Sequence, residues 1–285
     1  MLWLHLLANG LISGCALGMV AVSFSLIFAT TKIFHVAHAG VYSLGGYLTW
    51  SVLRWGVPAP LALVAGVAAC AVVGALIQKL LYERLLQRRA SHLVILITSL
   101  GVAAVLQNAI AGIYTSNVLR FGVTWADRTL SIGGVLLTTA QLMTAGAGVL
   151  SYAGAMWFAH RTNLGRRMRA VASNPFLAEI TRLDPRAMHV IVMAVGSAMV
   201  CLPGVLVPLD LGLQPFGGLP MLLTATIAMI AGGVGSITGA FVLAVAIAVL
   251  QNLSLLVIPG EWSIGITFFI FVIFMLFRPR GLFGT

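Results

Sequence analysis

The side chains able to do chemistry are few, and most of them sit inside long apolar runs. His38, Tyr42, Ser99, Asn108, Thr224 and Thr226 are polar groups in apolar surroundings. Uncharged hydroxyls, an amide and an imidazole at such places offer hydrogen bonds to a solute passing between helices, which makes these six the candidate pathway residues. No Asp, Glu or Arg falls in the middle of an apolar run: Asp210 and Glu261 stand at run ends and Lys32 in a connector. Ion-coupled carriers and charge-selective pores need buried ionisable or ion-coordinating groups, so a neutral or zwitterionic solute suits this chain better. Nucleotide and hydrolytic chemistry find no footing. The only lysines are Lys32 and Lys79, which excludes a G-x-x-x-x-G-K-[ST] loop. Gly232-Gly233-Val234-Gly235 lacks that lysine and a preceding strand. H-E-x-x-H, G-x-S-x-G and paired carboxylates are missing as well, so neither catalysis nor a bound metal or cofactor is expected of the chain itself.

The elements that must hold these residues follow from composition. Of 285 residues, 60% are hydrophobic and 8% charged, against roughly 25% charged in a soluble domain. A water-soluble fold is thereby ruled out, and the expectation is an all-α, polytopic transmembrane helical bundle. Apolar runs fall at about 6–29, 38–54, 58–79, 92–113, 137–159, 187–208, 219–234, 236–257 and 262–277. They predict eight or nine spans in a single membrane domain over 1–285. The second, seventh and ninth runs are short for a hydrocarbon core of about 30 Å. The three cysteines, Cys15, Cys70 and Cys201, are scattered through apolar runs and read as small core residues. The net charge of +10 reads as topology rather than nucleic-acid binding. Twelve of the 16 basic residues lie in the 79–92 loop, the 160–188 loop and the C-terminal tail, and basic loops stay on the cytoplasmic side. The 114–136 loop, with Arg120, Asp127 and Arg128, is then outside, and the C-terminus, with Arg278 and Arg280, is cytoplasmic.

Two short, glycine-interrupted runs occupy matching places in the two halves. Gly40 to Gly46 follows a span and a connector at 30–37, while the run ending in Gly232-Gly233-Val234-Gly235-Ser236 follows a span and a connector at 209–218. Interrupted segments at corresponding positions of inverted halves point to a transport pathway, and they predict an inverted repeat of 6–113 on 187–277. The glycines also have a packing reading. Gly10-x-x-x-Gly14-x-x-x-Gly18 and Gly235-x-x-x-Gly239 make flat helix faces that admit a neighbouring backbone.

The 160–188 loop carries the clearest local signals. Thr162 and Asn163 cap a helix expected from Leu164; Asn174-Pro175 stops it and starts a second; Asp184-Pro185 starts the next span. On the first helix Met168, Val171 and Ala172 share one face and Arg166 and Arg169 another, while Phe176, Ile180 and Leu183 align on the second. Helices this short need a partner surface, either lipid headgroups or a protein. Six arginines exceed what orientation requires, which favours a protein.

The run from Thr162 to Pro175 resembles the T-x-x-G-R-x-x-R-A-x-A-x-[ND] cytoplasmic signature of branched-chain amino acid ABC-transporter permeases of the LivH type. Ala37-His38 with Tyr42, Leu44, Gly45 and Tyr47 is similar to a second motif of that family, Gly232-Gly233-x-Gly235-Ser236-x-x-Gly239-Ala240 to a third, and Arg278-Pro279-x-Gly281-Leu282-Phe283 to its C-terminal ending. The resemblance implies one membrane subunit of an importer in the bacterial inner membrane. Its partners would be a second homologous permease, two cytoplasmic ABC ATPases that use ATP, a periplasmic substrate-binding protein and membrane lipid. Gly165, Arg166, Arg169, Ala170, Asn174, Pro175, Phe176 and Ile180 would couple the permease to the ATPases. His35, Ala39 and Arg182 depart from the family pattern, where Asn, Gly and Gly are usual. Branched-chain amino acids, urea and short amides all remain open as the solute. A stand-alone channel or secondary carrier for a small neutral solute is the rival class.

Overall fold

A computed structural model describes residues 2–123, 125–126, 128–278 and 281–283. Asp127 and Arg280, which the charge argument set on opposite faces, and Pro279 of the C-terminal motif lie outside the described residues. The chain is an all-α polytopic bundle. Each of the nine apolar runs is a helix: α1 Leu2–Thr31, α2 His38–Arg54, α3 Ala59–Gln87, α4 His92–Tyr114, α5 Thr139–Arg161, then after two short helices α8 Pro185–Leu211, α9 Gly218–Gly232, α10 Ile237–Ser254 and α11 Ser263–Phe277. Six of them, α1, α3, α4, α5, α8 and α10, are long and apolar enough to cross a membrane. The other three, α2, α9 and α11, are the ones whose runs were short.

The short helices between α5 and α8 are α6, Asn163–Ser173, and α7, Pro175–Ile180. Their caps are those the sequence announces. Thr162 Oγ1 accepts the Gly165 N–H at 3.0 Å, Asn174 Oδ1 the Leu177 N–H at 3.1 Å and Asp184 Oδ1 the Arg186 N–H at 2.9 Å. Thr162 alone is the cap of α6, so the helix begins at Asn163, one residue before the expected start.

Between α4 and α5 the sequence reading had only a loop; the chain forms a hairpin there, β1 Thr129–Ile132 with β2 Val135–Thr138, antiparallel, Ile132 opposite Val135. Gly133 and Gly134 both have positive φ, 59° and 82°, as a two-residue hairpin turn demands. Leu119 and Leu213 exchange backbone hydrogen bonds, 3.2 and 2.7 Å, which tie this loop to the segment between α8 and α9.

With apolar lipid outside, helix association rests on close van der Waals packing rather than on the hydrophobic effect. The glycine stripe of α1 serves this. A methyl group on Gly10 would come within 2.8 Å of Val249 Cα, on Gly14 within 2.7 Å of Val245 Cα and on Gly18 within 2.6 Å of the Phe241 ring, all on α10. Helix α3 packs on α8 in a related way, Gly74 lying against Ser197 and Met193. Helices α2 and α9 cross at their first turns, Gly218 against the Ala39 carbonyl. Both begin after irregular segments, 32–37 and 212–217, and α2 finishes beside the α4 end, where Ser51 and Tyr114 hydroxyls meet at 2.6 Å and Trp50 Nε1–H donates to the Arg120 carbonyl at 3.1 Å.

Candidate functional site

Two cavities follow one another along α1, α5, α9 and α10. The first, about 500 Å³, adjoins the hairpin; Asn9, Ser13, Thr144, Thr224 and Asn252 give it polar lining, and Asp210 lines it beside Gln141. The second, about 900 Å³, lies at the basic end and is bordered by Lys32, His160, Arg169 and Phe283. Between the two levels the Tyr152 ring stacks on Phe241, centroids 4.7 Å apart, with Phe241 resting on Gly18. Tyr152 and Thr238 hydroxyls meet at 3.1 Å beside this stack.

Of the six sequence-derived pathway residues, Thr224 borders the first cavity, with its hydroxyl donating to the Pro220 carbonyl at 3.1 Å. Thr226, on the same helix, is buried and donates to the Leu222 carbonyl at 2.8 Å. Tyr42 is buried where α2 meets Gly204 of α8. Asn108 is exposed on α4, its Nδ2 donating to the Ala104 carbonyl at 2.8 Å. His38 and Ser99 belong to a buried polar cluster at the α1–α2 break. His38 Nε2 lies 2.9 Å from Ser23 Oγ, His35 Nδ1 lies 2.8 Å from the Tyr82 hydroxyl, Tyr82 O–H donates to Ser99 Oγ at 2.7 Å and the Ala37 N–H donates to Ser99 Oγ at 2.9 Å. Tyr82 reaches in from a π turn, Gln78–Tyr82, that interrupts α3. The sequence reading missed His35 as a participant and Tyr82 altogether, since an aromatic near the end of an apolar run carries no local signal of a partner 47 residues away. It also missed Gln141. That residue had a signal: Thr138 and Gln141 form a capping box, Thr138 N–H donating to Gln141 Oε1 at 3.1 Å and Gln141 N–H to Thr138 Oγ1 at 3.1 Å.

At the basic end, α6 and α7 lie across the bundle. Gly165 sits so close to the Phe158 and Ala159 carbonyls that no side chain fits. Met168 and Val171 on α6 and Ala178 on α7 face inward, and the Asn174 N–H closes onto the Ala170 carbonyl at 3.1 Å. Arg169 donates to His160 Nδ1 at 3.2 Å, and Arg166 donates to Asn163 Oδ1. After Pro175, three apolar side chains point away from the protein, Phe176 at 70% exposure, Leu177 at 56% and Ile180 at 65%. The glycine motif and the C-terminal ending come together nearby. The Leu282 and Phe283 N–H groups donate to the Ala231 and Gly232 carbonyls, 2.9 and 3.1 Å, and so satisfy the end of α9.

Apolar helices, six of them long enough to cross a membrane, with two cavities in series between them define a multi-pass membrane protein. The chain belongs to the family described as "Branched-chain amino acid transport system / permease component", which matches residues 6–275. It is similar to the high-affinity branched-chain amino acid transport system permease protein BraD of Pseudomonas aeruginosa, 25% identical with 99% of this chain and 96% of that protein covered. LivH of Escherichia coli K12, of the same description, is 23% identical, again with 99% and 96% covered. Among solved structures, PsaBC from Streptococcus pneumoniae in complex with Fab shares the fold, with a TM-score of 0.54 and 15% identity, covering 98% of this chain and 94% of that one.

Proposed function

We propose that this chain is the membrane permease subunit of a bacterial ABC importer for branched-chain amino acids. The observation that carries the reading is the family match over residues 6–275. Solute arrives from a periplasmic binding protein at the hairpin end, occupies the first cavity, passes the Tyr152–Phe241 stack and leaves through the second. A homologous second permease covers the open side of the first cavity, where Leu211 and Ile264 stand exposed. Thr224 touches the solute, and the His38–Ser99 cluster holds the α1–α2 break in place beside it.

The nine helices then all serve as membrane segments, α2 and α9 short because each begins below the surface, and the two halves repeat with inversion. Packing supports this. When α1, α2, α3 and α4 are exchanged for α8, α9, α10 and α11, the α1–α10 contact becomes α8–α3, α2–α3 becomes α9–α10, α2–α4 becomes α9–α11, and α1–α8 and α2–α9 map on themselves; every one of these pairs packs together.

Energy comes from two cytoplasmic ATPases whose ATP-bound and ATP-free pairs prefer different permease states. The exposed Phe176 and Ile180 of α7 support docking into an ATPase cleft, with Arg166 and Arg169 meeting acidic groups or carbonyls around it. Burying a Phe or Ile is worth about 1.5–3 kcal/mol, and an exposed charge pair less than about 1 kcal/mol. Phe176→Ala should therefore weaken ATPase co-purification more than Arg166→Ala does, with membrane insertion intact. Unchanged ATP-driven uptake in Phe176→Ala would mean that α7 lies on lipid instead. Reconstituted uptake of labelled leucine against urea tests the solute.

A further inference from the structure

Among the described residues, the first cavity has one ionisable side chain, Asp210 in the last turn of α8. Its carboxylate is held from two sides. Thr138 Oγ1–H donates to Oδ1 at 3.0 Å and Gln141 Nε2–H to Oδ2 at 3.1 Å. Gln141 is itself fixed by the capping box, so the carboxylate is aimed before any solute arrives. A carboxylate offers about four lone-pair positions; these two donors take two of them, and both are neutral. The same cavity is lined by Asn9 and Asn252, and its aliphatic lining includes Ile12 of α1 and Leu206 and Val207, about one turn before Asp210 on α8. Anchoring the hairpin to α8 takes one lone pair on each carboxylate oxygen and leaves the others for a further donor. On its other side Asp210 borders a small pocket of about 50 Å³ that Arg120 also lines.

We propose that Asp210 binds the protonated amine of an incoming solute while the aliphatic wall receives its side chain. The site thus selects a zwitterionic aliphatic amino acid over urea or a neutral amide. This rests on the amino-acid reading above. The solute carboxylate, with no cation in the lining, stays toward the open, hydrated side.

The test uses the complete transporter in membrane vesicles, with saturating binding protein and labelled leucine, urea and acetamide. Asp210→Asn should lower leucine uptake by about tenfold, the worth of one charge-assisted hydrogen bond, with ATPase co-purification unchanged, and Asp210→Glu should recover part of it. Leucine uptake by Asp210→Asn within about twofold of the parent overturns the amine site and leaves the amino-acid reading standing. A parent that moves urea or acetamide and no leucine overturns both. If Asp210→Asn fails to assemble, the chain with Asp210 intact decides. Asn252→Cys, in a background with Cys15, Cys70 and Cys201 replaced, is labelled with a neutral maleimide. Isoamylammonium should slow that labelling and 4-methylpentanoate should not; equal protection by both, or none by the amine, overturns the proposal.

Discussion

Arg182 holds a backbone conformation that suits glycine. Its φ is 61°, and it closes α7 as a Schellman turn, the Arg182 N–H donating to the Glu179 carbonyl and the Leu183 N–H to the Ala178 carbonyl, both at 3.0 Å. Arg89, φ 53°, closes α3 in the same way. The left-handed region costs an L-residue about 1–2 kcal/mol, and glycine's greater freedom when unfolded returns about 0.5–1 kcal/mol of that. Arg182→Gly should accordingly raise the thermal midpoint of the purified subunit slightly, and Arg182→Val, β-branched, should lower it. A fall in Arg182→Gly would show that the guanidinium matters more than the backbone. At Tyr82 the balance runs the other way. Tyr82→Phe removes the hydroxyl that meets both His35 and Ser99 in a buried cluster, and leaving such groups unmatched costs about 1–3 kcal/mol; the measurement is the same melt, and an unchanged midpoint would mean that the cluster contributes little. Arg182 was visible in the sequence as a departure at a glycine position. Tyr82 was not, because its partners come together only through the packing of α3 and α4 against the α1–α2 break.

Among the elements, the glycines of α1 and of α4 look alike in sequence and differ in surroundings. Gly14 faces the Val245 backbone, whereas Gly101 on α4 has no neighbour within 4 Å in this chain. Gly14→Leu should push α1 off α10 and reduce folded yield sharply. Gly101→Ala should be neutral or stabilise by up to about 1 kcal/mol through helix propensity, and comparable losses at both positions in a detergent-stability series would remove the packing account. The stripe Gly10, Gly14, Gly18 was legible because glycine every fourth residue leaves few other uses. Its partner was not: α1 and α10 are apolar on all sides, so periodicity points nowhere. Caps were legible residue by residue, since Thr162, Asn174 and Asp184 act within three residues of themselves. The hairpin at 129–138 was overlooked although Gly133-Gly134 between T-L-S-I and V-L-L-T is a two-residue turn signal, hidden by the expectation that everything ordered here would be helix.

At the scale of the whole molecule, inversion and topology are one question. Four segments in the first half, one joining helix and four in the second make α1 and α8 run in opposite directions, but only if the short helices α2 and α9 cross. If α2 turned back within the membrane, α1 would begin on the side that carries the basic 79–92 loop. The contacts of α2 argue for crossing: its first turn lies by Ser99 near the start of α4, while its last turns lie by Tyr114 at the end of α4. Single cysteines in a background lacking Cys15, Cys70 and Cys201 test this with an impermeant maleimide on whole cells. The labels at Leu2→Cys, Leu130→Cys and Glu261→Cys should appear from outside, and those at Arg88→Cys and Arg167→Cys only after permeabilisation. External labelling at position 167 would reverse the orientation and detach α6 and α7 from any cytoplasmic ATPase. Labelling at position 2 only after permeabilisation, with 130 and 261 still external, would instead mean that α2 does not cross. That outcome would remove the inverted repeat while leaving the basic loops, and the docking surface at Phe176, on the side where the ATPases work.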